Sequence, residues 1–406
     1  MDINYIALAI PVFFILIGIE LISARVLGRS VYRFHDAITD LNCGVTQQVF
    51  EIFYKVLIFG IYFAVERAYG VWNLSATSLP AWILAFLGVD FLYYWWHRLS
   101  HEKNALWAIH VVHHQSQDYN LAVALRQALF SSFTTLPFYL VLAIVGIPLE
   151  IFFPIVSFST LYQFWIHTEL VPKLPVIDWV FNVPSHHRVH HAINPKYLDK
   201  NYAATLIVWD RLFGTYMDET EPPVYGTVKP FKSLNPLWAN FDYWTYLIRT
   251  AKSTPRLKDK ILVFWKGPQW TPPGVPSYPP PPEVSPDTFE KFDPPVSGAI
   301  KNYVLLQYII TGVVFFAMVL AEQHISVAFM IALSLLITIS VVVTAGLFER
   351  RTWAVPFEHA RLLYGTTLAI WFLRDHPSVA EVTPVIALIA VAMAFWVQRL
   401  EQKFSA

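Results

Sequence analysis

The sequence predicts an all-α polytopic membrane protein with about nine transmembrane helices. Three observations carry that class. Apolar residues make up 55% of the chain and charged residues only 14%, whereas soluble domains run at about 25% charged. Nine apolar runs approach the roughly 20 residues that a helix needs to cross a bilayer. The histidines crowd into one stretch, and they lie beyond the ends of the apolar runs rather than inside them. The formal net charge is zero, which gives no reason to expect a nucleic-acid partner. Cys43 is the single cysteine, so no intramolecular disulfide can form.

Taken in order, the first run is Tyr5 to Leu27. It lacks a basic leader and a small-residue cleavage site, so it reads as a retained span rather than a signal peptide. Asp36 to Gln48 is polar enough to be an interfacial connection, and the second span follows near Phe50 to Val65. Pro80 is placed to open the third, Ala81 to Trp96, which runs directly into His97. Leu121 to Ile147 and Leu149 to Ile166 read as a coupled pair, punctuated by Gly146 and Pro148. Residues 168–300 contain no plausible span. A Pro-rich run from Pro279 to Pro282 marks a linker, because such runs favour extended structure. Four more spans are expected at Tyr303 to Ala321, Ile325 to Leu347, Ala360 to Leu373 and Val379 to Val397. Glu322, His324, Glu349, Glu358, His359 and His376 read as interfacial polar residues at their ends. The domain reading is a membrane-embedded catalytic domain over 1–270, a linker over 271–300 and C-terminal helices over 301–406.

Short-loop basic residues set the orientation. Met1–Asn4 has none, whereas Arg25, Arg29 and Arg33 follow the first span. The first loop is therefore expected inside, and Arg350, Arg351, Arg399 and Lys403 fall on the same side if there are nine spans. His97 to His191 then lies on the cytoplasmic side, in a helical cap.

Within that stretch His97 and His101 are four apart, and His110, His113 and His114 repeat the spacings three and four. His187, His190 and His191 do the same, with His186 just before them and His167 standing alone. Residues at i, i+3 and i+4 share a helix face, so each group can aim its imidazoles at one point. Imidazole suits iron, zinc, copper or nickel. One zinc takes about four ligands, so nine or ten imidazoles are read as a dimetal site. His186 is the doubtful tenth, since four neighbouring helix positions cover too wide an arc for one metal. Ligating imidazoles usually donate their second N–H to a carboxylate or carbonyl. Asp90, seven residues before His97, and Glu102 are the carboxylates proposed to support the chemistry. Asp210 and Arg211 are expected to pair structurally, Trp95, Trp96, Trp107 and Trp165 to form an interfacial belt, and Lys266-Gly267-Pro268 to make a turn.

His97-xxx-His101, His110-xx-His113-His114 and His187-xx-His190-His191 resemble the three histidine boxes of the fatty acid hydroxylase / sterol desaturase superfamily. Asn201-Tyr202-Ala203 and Trp209-Asp210-Arg211-Leu212-Phe213-Gly214-Thr215-Tyr216 resemble its downstream signature, so the likeness covers about residues 85–218. A narrower likeness, to the alkylglycerol monooxygenase branch, rests on Phe164 to Glu169, Ser185 to His191 and Lys266 to Trp270. The resemblance implies an O2-dependent di-iron lipid monooxygenase with two irons per chain. It also implies a membrane lipid substrate and an external reductant such as tetrahydropterin. The branch implies attack next to the ether bond of an alkylglycerol, giving fatty aldehyde and glycerol. Many relatives carry a further histidine four residues after the isolated one, where this chain has Val171. Two other readings stay open: a sterol, carotenoid or fatty-acid hydroxylase or desaturase using the same centre, and a metal transporter. Transporters place their ligands near the bilayer midplane on broken helices, unlike the histidines here.

Overall fold

A computed structural model describes residues 5–276 and 280–401. Met1–Asn4, Pro279 and Lys403, which entered the orientation and linker readings, lie outside the described residues. Apolar runs uninterrupted by turn residues become helices, and among the described residues there are fifteen α-helices, no strands and only isolated bridges. The N-terminal body contains α1 (Tyr5–Val26), α2 (Phe34–Tyr69), α3 (Leu79–Glu102), α4 (Asn104–His114), α5 (Ser131–Val145) and α6 (Leu149–Trp165). Five short helices follow: α7 (Pro184–His191), α8 (Val208–Phe213), α9 (Pro236–Ala239), α10 (Asp242–Ser253) and α11 (Leu257–Trp265). The C-terminal bundle is α12 (Gly298–Ala321), α13 (Val327–Phe348), α14 (Ala354–Leu373) and α15 (Val379–Glu401).

Six helices, α1, α2, α3, α12, α13 and α15, are long and apolar enough to cross a membrane. The chain is a multi-pass membrane protein. Three further segments expected to span are helical but fall short of that standard. Helix α5 has 15 residues, about 23 Å at 1.5 Å per residue against a hydrocarbon core of about 30 Å. Helix α6 has 17 residues and an internal Pro154. Helix α14 has 20 residues but carries Glu358, His359 and Arg361.

Two boundaries differ from the sequence expectation. Asp36 to Gln48 is not a connection but the opening turns of α2, and Asp36, Asp40, Asn42, Thr46 and Gln47 are buried there. Polar residues suggested an interface, yet they face the protein's own polar interior. The segment expected to span from Leu121 begins its α-helix only at Ser131. Residues 121–129 form a short 3₁₀ turn and loop, mostly buried against α2. The approach is close: a Cβ on Gly44 of α2 would come within 2.4 Å of the Leu125 carbonyl oxygen. Gly146 closes α5 at φ +98°, where a side chain would strike the Trp72 carbonyl.

The two bodies are joined by more than the linker. Leu234 and Ile38 pack into the apolar core formed by α12, α13, α14 and α15. Residues 291–293 of the linker are tied down beside the histidine region. Lys291 Nζ lies 2.7 Å from Asp118, and Phe292 N–H donates to Gln117 at 2.6 Å. Arg33 donates to the Phe292 carbonyl at 2.9 Å.

Candidate metal centre

Helix α3 continues past its apolar part to Glu102, which puts His97 and His101 on one face of its last turns. A one-residue break at Lys103 starts α4, which presents His110, His113 and His114. Helix α6 ends at Trp165 and delivers His167. Pro184 opens α7, as proline does in a first turn, and this helix brings His187, His190 and His191.

These nine side chains converge in two groups. His97, His101, His110, His114 and His190 form one, and His113, His167, His187 and His191 the other. Within each group the potential ligand nitrogens all lie within 4.8 Å of one another, and every member is buried. The grouping cuts across the chain order: α4 contributes to both sites, and so does α7.

Backbone carbonyls fix the tautomers. The Nδ1 atoms of His97, His113, His167 and His190 lie 2.7, 3.0, 2.7 and 3.0 Å from the carbonyl oxygens of Tyr202, Arg126, Gln163 and Lys200. A carbonyl only accepts, so each Nδ1 donates and each Nε2 is left with a bare lone pair. Yet His113 Nε2 and His167 Nε2 face each other at 3.2 Å. His187 Nε2 lies 3.0 Å from His167 Nε2, and His97 Nε2 lies 2.9 Å from His110 Nε2. Burial pushes His113 down to about 4 and His190 to about 3. Burial first, then neighbouring imidazoles, holds His110, His114, His167, His187 and His191 well below the ordinary range. Protonation is therefore not what relieves the facing lone pairs. A cation between them would relieve them, and neutral imidazoles with free Nε2 atoms are the form that binds one.

The carbonyls are themselves held. Asp199 and Asn201 adopt φ +58° and +55°, a left-handed conformation that Asp and Asn tolerate best. Lys200 and Tyr202 lie in this bend. Asp210 accepts from the Tyr202 and Ala203 amides, each at 2.8 Å. Asp90 accepts from the Thr205 and Leu206 amides at 2.8 and 3.1 Å and from the Trp209 indole at 2.9 Å. Arg126, buried, spans three partners at once: the Val112 carbonyl, Asp40 and Gln115, at 2.7, 2.9 and 3.0 Å. Aromatic rings wall the groups. Trp107 lies 4.8 Å from His101, and Tyr119 lies 5.3 Å from His191, centroid to centroid.

Several expected roles change. His186 lies outside both groups, and its ring faces Tyr216 at 5.4 Å. One residue before His187 on α7, it points about 100° away. Among the described residues no hydrogen bond joins Asp90 or Glu102 to an imidazole. Asp90 holds the 205–209 loop, while Glu102 is half-exposed and pairs with Arg98 at 2.8 Å. Asp210 and Arg211 do not pair. Arg211 stacks on Tyr216 at 3.7 Å, because adjacent helix positions diverge. Trp96 is buried and donates to Thr134 at 3.2 Å, so it does not belong to a lipid-facing belt, and the half-buried Trp107 lies against His101 and His114. At the Val171 position the backbone carbonyl accepts from Arg188 at 2.9 Å. The Lys266-Gly267-Pro268 turn docks on the α3–α4 break, where the Asn104 amide donates to the Lys266 carbonyl at 2.9 Å. Which carbonyls serve as supports, and the part played by Arg126, were not foreseen. A lone arginine inside an otherwise apolar stretch was the available signal for the latter.

Comparison with known proteins agrees with this architecture. The fatty acid hydroxylase family model matches residues 82–215. The alkylglycerol monooxygenase of Xenopus tropicalis is 35% identical over 388 residues, covering 95% of this chain and 85% of the relative. That of Danio rerio is 34% identical, covering 98% and 90%. The Homo sapiens enzyme is 40% identical, covering 66% and 60%. No solved structure matches the chain. With two of these relatives matching nearly its full length, the chain belongs to the fatty acid hydroxylase family and, within it, to the alkylglycerol monooxygenases: it is a membrane-bound oxidoreductase that hydroxylates lipids.

Proposed function

We propose that His97, His101, His110, His114 and His190 hold one iron and that His113, His167, His187 and His191 hold a second. The observation that carries this reading is the 3.2 Å contact between two unprotonated Nε2 atoms, His113 and His167. All-imidazole donors suit iron, and the family supports that choice of metal.

We further propose that the substrate is an alkylglycerol, as the names of the relatives suggest. The two irons would supply O2 activation. One oxygen atom enters the C–H bond next to the ether oxygen, and the other leaves as water. Two electrons and two protons come from an external reductant, of which a tetrahydropterin is the candidate. The hydroxylated carbon is a hemiacetal, and it breaks down to a fatty aldehyde and glycerol. The chain's own part is positioning and exclusion of water. The Tyr202, Arg126, Gln163 and Lys200 carbonyls hold the Nδ1 protons and aim Nε2 inward. Trp107 and Tyr119 close the sides.

The proposed topology is nine spans, with the histidine centre and its short helices on the cytoplasmic side. It takes the catalytic unit as 1–270 and the C-terminal helices as 301–406. In support, Arg29 and Arg33 lie at the same face as the histidines, bound to Glu169 and Asp118. Arg351 falls on that face too, beside Glu349, which accepts from Ser233.

The test is metal content per chain in detergent-purified protein, alongside turnover of a lipid panel containing alkylglycerols, sterols and free fatty acids. About two irons per chain and aldehyde release from alkylglycerol with tetrahydropterin are expected. A single zinc would refute the two-iron reading. Turnover of sterol or fatty acid without alkylglycerol would move the substrate to the other branches of the family.

A further inference from the structure

Residues 242–266 fold as a hairpin of α10 and α11 that the reaction does not use. Its inner side is a small core in which Leu247 and Val263 pack on Ala108 of α4. Its outer side is apolar and uncovered. Leu257, Ile261 and Trp265 are 74%, 63% and 66% exposed, and their spacing of four puts them on one face of α11. Phe241 and Ile248 continue the surface at 43% and 44% exposed. Around it lie Arg249, Lys252, Arg256, Lys258, Lys260 and Lys266, against only Asp242 and Asp259. Asp259 is already taken by Arg256 at 2.7 Å. Both ends of the hairpin meet helices that run into the apolar layer. The Phe241 ring lies 6.5 Å from Phe130, next to the start of α5. Trp265 lies 5.5 Å under the Lys103 ammonium, at the end of α3.

We infer that the α10–α11 hairpin lies in the surface of the surrounding bilayer and is held there by anionic lipid headgroups. A helix with an apolar stripe and a basic rim adopts this position, with Trp at the interface and lysine stems snorkelling to the phosphates. The excess of four positive charges selects anionic lipid. Continuity with α3 and α5 makes the occupant the protein's own membrane rather than another protein. The hairpin thereby pins α4, and with it His110, His113 and His114, at the lipid surface. This inference stands apart from the choice of metal and substrate.

The test is nitroxide depth measurement on the full chain in lipid nanodiscs. Cys43 is buried at 1% exposed, so Leu257→Cys, Ile261→Cys and, as an exposed reference, Glu283→Cys can be labelled selectively. In phosphatidylserine-rich discs the labels at 257 and 261 should be open to oxygen and closed to a nickel chelate, with the label at 283 open to nickel. In pure phosphatidylcholine, or with Arg249, Lys252, Lys258 and Lys260 all changed to Gln, that immersion should be lost. Nickel access at 257 and 261 equal to that at 283 in the phosphatidylserine discs would overturn the inference. So would labels closed to both reagents, the sign of a covering protein such as an acidic partner or a second copy. Equal immersion in both lipids would overturn the role of anionic headgroups.

Discussion

In the C-terminal bundle, Glu358 sits between Arg361, at 2.6 Å, and the Tyr303 hydroxyl, while Arg361 also reaches Gln307 at 2.7 Å. In the histidine centre, by contrast, nine buried imidazoles converge, seven of them with Nε2 atoms facing one another, while those of His101 and His190 find no protein partner at all. Both regions bury polar groups among apolar helices. The first satisfies its charges from within, acid against base, and leaves only a neutral amide nitrogen, Gln307 Nε2, without a partner in that cluster. The second is left with lone pairs facing lone pairs. Buried polarity that the chain completes itself is architecture, and buried polarity that it leaves incomplete is a place for something the chain does not encode.

The contrast can be broken first at its strongest point. His113→Ala or His187→Ala should abolish turnover and lower the iron content, with the helical content retained. Metal analysis and a lipid oxygenation assay on the purified variants read this out, and full iron with full turnover would sink the ligand assignment. Glu358→Ala should instead destabilise the fold by about 3–5 kcal/mol, because it strands Arg361 without its partner. A thermal melt reads the loss, while iron per folded chain stays unchanged. If iron falls in step, the two regions are not separable.

A smaller effect is expected at the supports. Asp90→Asn removes the carboxylate that holds the loop carrying the His97 acceptor, and should cost about 10–100-fold in metal affinity. The reading is by chelator competition at constant secondary structure. His186→Ala, at the edge of the centre but outside both groups, should keep its iron and most of its activity, and a metal-free product would place His186 back among the ligands.

Acid should act on the histidine centre. The folded state holds His113 down to about 4 and His190 to about 3 by burial, against about 6.5 for an unfolded chain. As pH falls through 6.5 the unfolded state takes up protons that the fold refuses, so stability present above 6.5 is lost progressively toward pH 4. Melts of chelator-stripped protein across that window should show a falling midpoint, and a flat response would mean that these imidazoles are not held neutral.

Much of the centre was legible beforehand because helical periodicity is a local property. Spacings of three and four put His110, His113 and His114 on one face, and the length and apolarity of α1, α3, α12, α13 and α15 named them as helices that could span. The same local rule stopped at boundaries. Asp36 to Gln48 has the composition of an interface, and only the polar floor beneath the histidines shows that it is buried helix.

What the sequence by itself determined was the helical membrane class and the groups of histidines that share a helix face. Each follows from composition or spacing along one segment. Only the tertiary structure divided those histidines into five and four, because α4 and α7 each serve both groups and their relative rotation is a packing outcome. Tertiary structure alone also assigned the Nδ1 protons to the carbonyls of Tyr202, Arg126, Gln163 and Lys200. A carbonyl is common to every residue, so no residue type announces it. Its role exists only once the chain has folded to aim it.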